Sequence, residues 1–102
     1  MSKRFLERLG TERLYWDGGT GSLLQARGLR GGELPERWNL TRPEDIRAVA
    51  EAYYSAGCDI VNSNTFGANR LHYPDEDELR EIVRAGVAHV KAARAKCGRE
   101  DA

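Results

Sequence analysis

The chain has 102 residues, of which 40% are hydrophobic and 31% are charged, and its formal net charge is zero. This balance is typical of a globular domain, and it excludes the composition of a disordered chain and the basic surface of a nucleic-acid-binding protein. No apolar run approaches the roughly 20 residues that span a bilayer, and no secretory signal is recognisable. We therefore expect a cytoplasmic protein with neither a nucleic-acid nor a membrane partner.

The N-terminal segment predicts a helix, a strand and a loop. Apolar residues at helical spacing before Gly10 indicate a short helix over residues 5–9. The apolar and aromatic run 14–16 has strand propensity. It ends at the glycine-rich segment 17–21, which indicates a tight loop because glycines do not extend a strand cheaply.

The next segment predicts one or two helical turns over residues 22–27, closed by Gly28. Residues 35–39 carry no clear periodicity and are predicted to be irregular. Within them, Trp38 is expected to be a buried anchor, because a large aromatic side chain stabilises a core when it is covered.

A stronger helical signal follows. Thr41 and Glu44 fit a capping box, and Gly57 is a typical helix stop. Between them, one face is apolar and consists of Ile46, Val49, Ala50, Tyr53 and Ala56. Residues 59–63 then predict a short strand, and residues 64–69 predict the loop after it.

A last helix is predicted between Asp75, a candidate N-cap, and Gly98, which ends it. Its apolar face is predicted to consist of Leu79, Ile82, Val83, Gly86, Val87 and Val90. The alternation of strand, helix and strand predicts an α/β fold with parallel strands.

Two parallel strands are not a complete sheet, because parallel strands are stable when buried and both outer edges would be unpaired. We therefore predict that the chain is part of a larger sheet, or that another chain completes it. A self-sufficient α+β domain with a further strand near residues 34–40 is the alternative.

Both predicted strands end in polar loops that would meet at one rim, where such folds place their functional residues. Asp17 is suited to bind an ammonium group and the loop amides to bind a carboxylate, which together favour a small zwitterion. The alternatives are a turn-forming Asp17 and a purely structural role for Asn64 and Thr65. A dinucleotide site is not favoured, because Leu24 occupies the place of the third small residue.

A series of short segments resembles, in order and spacing, the motifs of the homocysteine S-methyltransferase family. They are 17–21, 23–25, 32–36, 38–40, 43–44, 56–61 and 64–69. The resemblance implies the first two βα units of a (β/α)8 TIM barrel, preceded by a short N-terminal helix. Residues 1–102 would be the N-terminal part of a homocysteine-binding barrel domain, truncated before the third strand.

The resemblance also implies a function and a set of contacts. The intact enzyme would be a zinc-dependent methyltransferase that transfers a methyl group to the thiol of homocysteine and gives methionine. By matched position, Asp17 would contact the substrate amino group, and Gly18 and Thr65 would contact its amino-acid end. Asn64 would line the pocket.

No metal ligand and no catalytic residue is predicted in this chain. The family takes its zinc cysteines from late strands of the barrel, whereas Cys58, Cys97, His72 and His89 form no ligand spacing. Zinc is therefore expected only for the intact enzyme, with its ligands outside this chain. The methyl donor is undetermined, and methylcobalamin is one candidate beside a sulfonium compound or a betaine.

Two hypotheses follow. In the first, the chain carries the substrate end of a methyltransferase pocket, is inactive alone, and regains activity when the remainder of the barrel is supplied in trans. In the second, it is a catalytically inactive binding or assembly module that associates with itself or a partner through open strand edges.

Overall fold

The structure, a computed structural model, describes residues 5–102, and residues 1–4 of the predicted domain lie outside the described part. Within it, five α-helices and one 3-10 turn follow each other along the chain. They are α1 (Phe5–Arg8), α2 (Thr20–Ala26), the 3-10 turn Pro35–Arg37, α3 (Trp38–Thr41), α4 (Pro43–Ser55) and α5 (Glu76–Lys96). None of these helices is both long enough and apolar enough to cross a membrane.

Helix α4 lies at the centre, because it buries residues on two sides. One core cluster joins Leu24, Trp38, Ile46 and Val49, so that α2 and α3 pack on one side of α4. A second cluster joins Ala50 and Tyr54 of α4 to Ala93 of α5. Each large buried side chain contributes about 1.5–3 kcal/mol, so these two clusters are the main source of stability.

The last helix follows its predicted bounds but buries a different face. Asp75 caps α5 as predicted, since its Oδ1 accepts from the backbone of Asp77 at 2.9 Å. The buried residues of α5 are Ile82, Gly86, His89 and Ala93. The predicted apolar face is therefore only partly correct, and two of its members, Val83 and Val87, are exposed.

The predicted capping box of α4 is wrong. The helix has Arg42 as its N-cap, without a side-chain cap bond. The Thr41 hydroxyl instead donates to the Arg37 carbonyl, because Thr41 belongs to the preceding helix α3. Pro43 starts α4 without losing a hydrogen bond, since the first turn has no partner for its N–H. Gly57 ends the helix as predicted, with a φ of +103°.

Residues 35–39, predicted to be irregular, form the 3-10 turn and the start of α3. The buried Trp38 is confirmed, with 3% of its surface exposed. Its ring nitrogen donates to the Glu33 carboxylate at 3.1 Å, and the Arg42 guanidinium lies 4.1 Å from its ring. Both ends of this tryptophan are held, and this fixes the segment as a helical turn.

The two predicted strand segments meet in the described residues through one parallel bridge, between Trp16 and Ile60, and form no longer strand there. The backbone N–H of Asp59 donates to the Tyr15 carbonyl at 2.7 Å, and the backbone N–H of Asp17 donates to the Ile60 carbonyl at 2.9 Å. The contact has the predicted parallel direction. The two βα units and the barrel remain a prediction.

Candidate functional site

Two of the four predicted site residues line the same small cleft. Asp17, which follows the Trp16–Ile60 bridge, and Asn64, in the loop after it, both border a space of ≈ 10 Å³, as does Asn62. Gly18 and Thr65 lie next to them in sequence but are not among the residues lining this cleft. The structure therefore brings Asp17 and Asn64 together.

Asp17 keeps its negative charge available. Its Oδ2 accepts from the backbone N–H of Asn62 at 3.0 Å, and its Oδ1 accepts from the Asn62 side-chain amide at 2.9 Å. Both donors are neutral, and within residues 5–102 no ion pair to Asp17 is formed. A carboxylate can accept more than two hydrogen bonds, so Asp17 retains both charge and acceptor capacity for a ligand.

Gly18 lies against the ring of Tyr53. A Cβ at position 18 would stand 3.1 Å from the Tyr53 hydroxyl, closer than side chains normally approach. That hydroxyl donates to the carbonyl of Gly19 at 3.3 Å. Glycine at position 18 therefore allows Tyr53 to support the loop that carries Asp17.

Asn64 is held by residues 32–40, here called the linking segment, rather than by its own loop. Its Nδ2 donates to the Pro35 carbonyl at 2.9 Å and to Oδ1 of Asn39 at 3.0 Å. Its backbone carbonyl accepts from Nδ2 of Asn39 at 2.9 Å. Three hydrogen bonds thus fix both the backbone and the side chain of Asn64.

Thr65 makes local contacts. Its N–H donates to the Ser63 carbonyl at 2.9 Å, and the hydroxyls of the two residues are joined by a 2.8 Å hydrogen bond. The Thr65 N–H is therefore engaged with Ser63 in this structure, and its hydroxyl is hydrogen-bonded to the same residue.

Two supporting residues, Glu36 and Asn39, were not predicted as part of the site. Glu36 has 4% of its surface exposed; its carboxylate accepts from the Gly67 amide at 3.0 Å and from the Tyr73 hydroxyl at 3.2 Å. Burial, followed by the Glu36 charge, raises the pKa of Tyr73 to about 12. The available signal was the place of both residues in the linking segment beside Trp38.

The described residues do not fit a zinc ion. No group of three or more His, Cys, Asp or Glu side chains comes together within residues 5–102. The Cys58 thiol donates to the Trp16 carbonyl, and burial, with Asp17 and Asp59 nearby, raises its pKa and disfavours the thiolate that a metal binds.

The size of the cleft limits what it can recognise. Its ≈ 10 Å³ is about the space of one water molecule, whereas sites that enclose a small molecule measure about 300–1,000 Å³. Asp17 and Asn64 can therefore contact one polar group of a ligand but do not enclose the whole molecule. The acidic character of the contact favours a positively charged group such as an ammonium.

Comparison with known proteins identifies the family. The family model described as homocysteine S-methyltransferase matches residues 14–101, a range that includes every predicted site residue. The chain therefore belongs to the homocysteine S-methyltransferase family.

Two curated relatives have the same name. The chain is similar to the methionine synthase of Mycobacterium tuberculosis, with 32% identity over 107 residues, covering 94% of this chain and 9% of that protein. It is also similar to the methionine synthase of Mycobacterium leprae, with 34% identity over 93 residues, covering 80% of this chain and 8% of that protein. The chain thus spans less than a tenth of the length of these relatives.

Proposed function

We propose that this chain supplies the amino-acid-binding part of an enzyme that methylates the thiol of homocysteine to give methionine. The observation that carries the proposal is the Asp17 carboxylate, which meets only neutral donors in the described residues and shares a cleft with Asn64. Membership of the homocysteine S-methyltransferase family supplies the substrate class.

The proposed contact is a charge-assisted hydrogen bond from the substrate ammonium to Asp17. Asn62 orients the carboxylate through two N–H groups, so little reorganisation is needed on binding. Gly18 and Thr65 would lie toward the carboxylate end of the amino acid. For Thr65 this requires its N–H to leave Ser63, because that donor is already engaged.

The chemistry itself lies outside these residues. In the reaction, the homocysteine sulfur attacks the methyl carbon, a sulfur–carbon bond forms, and the bond from the methyl group to its donor breaks with its electron pair on the donor. The thiol proton is lost. Zinc would supply an activated thiolate when bound elsewhere, and the donor, of which methylcobalamin is one candidate, has no contact residue assigned here.

The fold and location belong to the same proposal. A parallel bridge at Trp16 and Ile60, with α4 between the two segments and α5 after the second, supports the first two βα units of a (β/α)8 barrel. Cys58 and Cys97 are free thiols, which supports a reducing compartment such as the cytoplasm.

Isothermal titration of the 102-residue chain with L-homocysteine tests the proposal. We expect the chain to bind L-homocysteine. The affinity should be at least about tenfold lower for Asp17→Ala, and also for the unchanged chain titrated with 4-mercaptobutyrate, which lacks the amino group. Zinc should leave the affinity unchanged. Equal binding by Asp17→Ala, or by the amine-free compound, would contradict the role of Asp17, and no binding by the unchanged chain would contradict a half-site that functions alone.

A second candidate function is assembly through the open edge at residues 60–63. A groove of ≈ 370 Å³ runs beside this segment and is lined by Ile60, Val61, Val87 and Val90 among others. Val87 keeps 39% of its surface exposed, which is unusual for a predicted core position. The occupant would be the remainder of the barrel or a second copy, and sedimentation velocity over a range of concentrations distinguishes a self-associating chain from a monomer.

A further inference from the structure

The orientation of the Asn39 amide is fixed by two backbone carbonyls. Its Nδ2 lies 3.0 Å from the Ile82 carbonyl and 2.9 Å from the Asn64 carbonyl. Carbonyl oxygens only accept, so the NH2 end of Asn39 must face them. Its Oδ1 is consequently turned toward the side chain of Asn64.

This orientation determines that of Asn64 in turn. An Oδ1 atom only accepts, so Asn64 must present its Nδ2 to Asn39, where the distance is 3.0 Å. The other N–H of the same Nδ2 donates to the Pro35 carbonyl at 2.9 Å. Both donors of the Asn64 amide are therefore used, and the atom that forms no hydrogen bond within residues 5–102 is its Oδ1.

Asn39 is itself held on every side. Only 2% of its surface is exposed, and its backbone carbonyl accepts from Nε2 of His89 at 2.8 Å. The Nδ1 atom of His89 accepts a hydrogen bond from the Arg47 guanidinium at 2.9 Å. The ring hydrogen is therefore on Nε2, which donates the hydrogen bond to the Asn39 carbonyl. A Cβ at Gly86 would come within 2.8 Å of the Asn39 Nδ2. The absence of a side chain at Gly86 thus leaves room for the Asn39 amide, and the two carbonyl acceptors fix its orientation.

We propose that Asn39 is a positioning residue, which turns Asn64 so that its carbonyl oxygen, and not its NH2 group, is offered to a ligand beside the Asp17 carboxylate. Because Asp17 and Asn64 border one cleft, this oxygen would be its second acceptor, an arrangement that attracts an ammonium group and repels a carboxylate. Asn39 thereby determines which end of a zwitterion binds there. This inference rests on the proposed function for the identity of the ligand.

Two substitutions separate positioning from simple support of the fold. Asn39→Leu removes the donors to the Asn64 and Ile82 carbonyls, and Asn39→Asp keeps at most one of them, as a protonated carboxyl group at this buried position, so both should lower stability. Only Asn39→Asp keeps an acceptor for the Asn64 amide. Ala93→Gly, in α5 but in the other core cluster, is the control for general destabilisation.

The first measurement is hydrogen exchange of the Asn64 side-chain amide by NMR, with the resonance assigned through Asn64→Asp. In the unchanged chain we expect slow exchange of both protons, because each is donated to a fixed acceptor. In Asn39→Leu the Asn64 side-chain amide should exchange rapidly. In Asn39→Asp and Ala93→Gly its exchange rate should stay close to that of the unchanged chain. Rapid exchange in the unchanged chain overturns the inference without any variant.

The second measurement is the affinity of the same proteins for L-homocysteine. We expect about a tenfold loss for Asn39→Leu, the effect of one hydrogen bond to a charged group, and less than about a threefold loss for Asn39→Asp. Equal losses in both variants overturn positioning. If the unchanged chain does not bind homocysteine, the proposed function fails, and the exchange data still decide whether Asn39 orients Asn64.

Discussion

Two aspartates hold opposite ends of the paired segments around Trp16 and Ile60. At one end, Asp59 accepts from the Tyr15 N–H at 2.9 Å, and at the other end, Asp17 accepts from the Asn62 N–H at 3.0 Å. Each carboxylate therefore takes the place of a backbone acceptor from the neighbouring segment. In this respect the two residues are equivalent.

Their charges have different surroundings. Asp59 has 5% of its surface exposed and lies between the guanidinium groups of Arg8, at 2.7 Å, and Arg99, at 2.9 Å. Asp101 pairs with the same two arginines, which ties the N-terminal helix to the C-terminal residues. Asp17, in contrast, is half-buried and meets only neutral N–H donors in the described part of the chain.

The difference fits the two separate roles that we propose for these aspartates. Neutralising Asp59 with two arginines makes its charge part of the fold, since a buried carboxylate without such partners would be costly. Asp17 has no cation beside it in the described residues, and it is the carboxylate for which we propose a ligand. In barrel folds the N-terminal ends of strands carry stability and the C-terminal ends carry function, and the roles that we propose for these two residues match that division.

The largest expected effect is that of Asp59→Asn on stability. The substitution leaves Arg8 and Arg99 without their shared counter-charge, which we expect to lower the free energy of unfolding by about 2 kcal/mol. This is less than for a fully buried pair, because the two arginine side chains keep 11% and 19% of their surface exposed. Urea unfolding followed by circular dichroism measures it, and Asp45→Asn should cost less, because both arginine partners of Asp45 are more exposed than those of Asp59.

The same variant should change the acid limb of the stability curve. Burial raises the pKa of Asp59, but the Tyr15 amide and the Arg8 guanidinium outweigh it and hold the pKa below its usual range. The charged form therefore stabilises the fold above about pH 4, and this contribution is lost as the pH falls through the folded-state pKa. Asp59→Asn should flatten this limb; an unchanged slope would contradict the role of the two arginines.

The next effect lies beside the proposed site, where Gly86→Ala should destabilise the chain although alanine favours helices by about 1 kcal/mol. The new Cβ would lie 2.8 Å from Asn39 and 3.0 Å from the Thr65 methyl group. Overpacking of this kind costs about 1–3 kcal/mol, so we expect a net loss of about 1 kcal/mol. Gly21→Ala is the matched control in α2, because nothing lies within 4 Å of its Cβ and it should stabilise slightly. If Gly86→Ala stabilised the chain as Gly21→Ala does, the loop that carries Thr65 would have moved to make room for the new methyl group.

The sequence predicted those features that depend on near neighbours. Hydrophobic periodicity located α4 and α5, and a single residue, Asp75, correctly marked the start of α5. The positions of Asp17 and Asn64 after the two predicted strands indicated one shared rim, and the two residues line one cleft. What periodicity cannot encode is which distant polar residues meet.

The pairs that could not be predicted join residues far apart in the chain. Asn39 and Asn64 form a hydrogen bond across the fold, and Arg8 and Asp59 form a salt bridge. No sequence pattern around these residues indicates which partner each of them contacts. The rotation of α5 that buries His89 was missed for the same reason, since histidine carries no apolar signal and its burial depends on the Asn39 carbonyl.

The smallest expected effect on stability, and the one that most sharpens the comparison of the two aspartates, is that of Asp17→Asn. The new side chain keeps one acceptor for Asn62, so we expect a loss of less than about 1 kcal/mol in the free energy of unfolding. Its affinity for L-homocysteine should nevertheless fall by at least about tenfold, because no charge remains for the ammonium.

Asp59→Asn, measured where the variant is folded, should show the reverse: a large loss of stability and an unchanged affinity. Urea unfolding and calorimetric titration of the two variants in one buffer make the test. Similar losses of stability in both would mean that Asp17, like Asp59, is part of the fold and does not reserve its charge for a ligand.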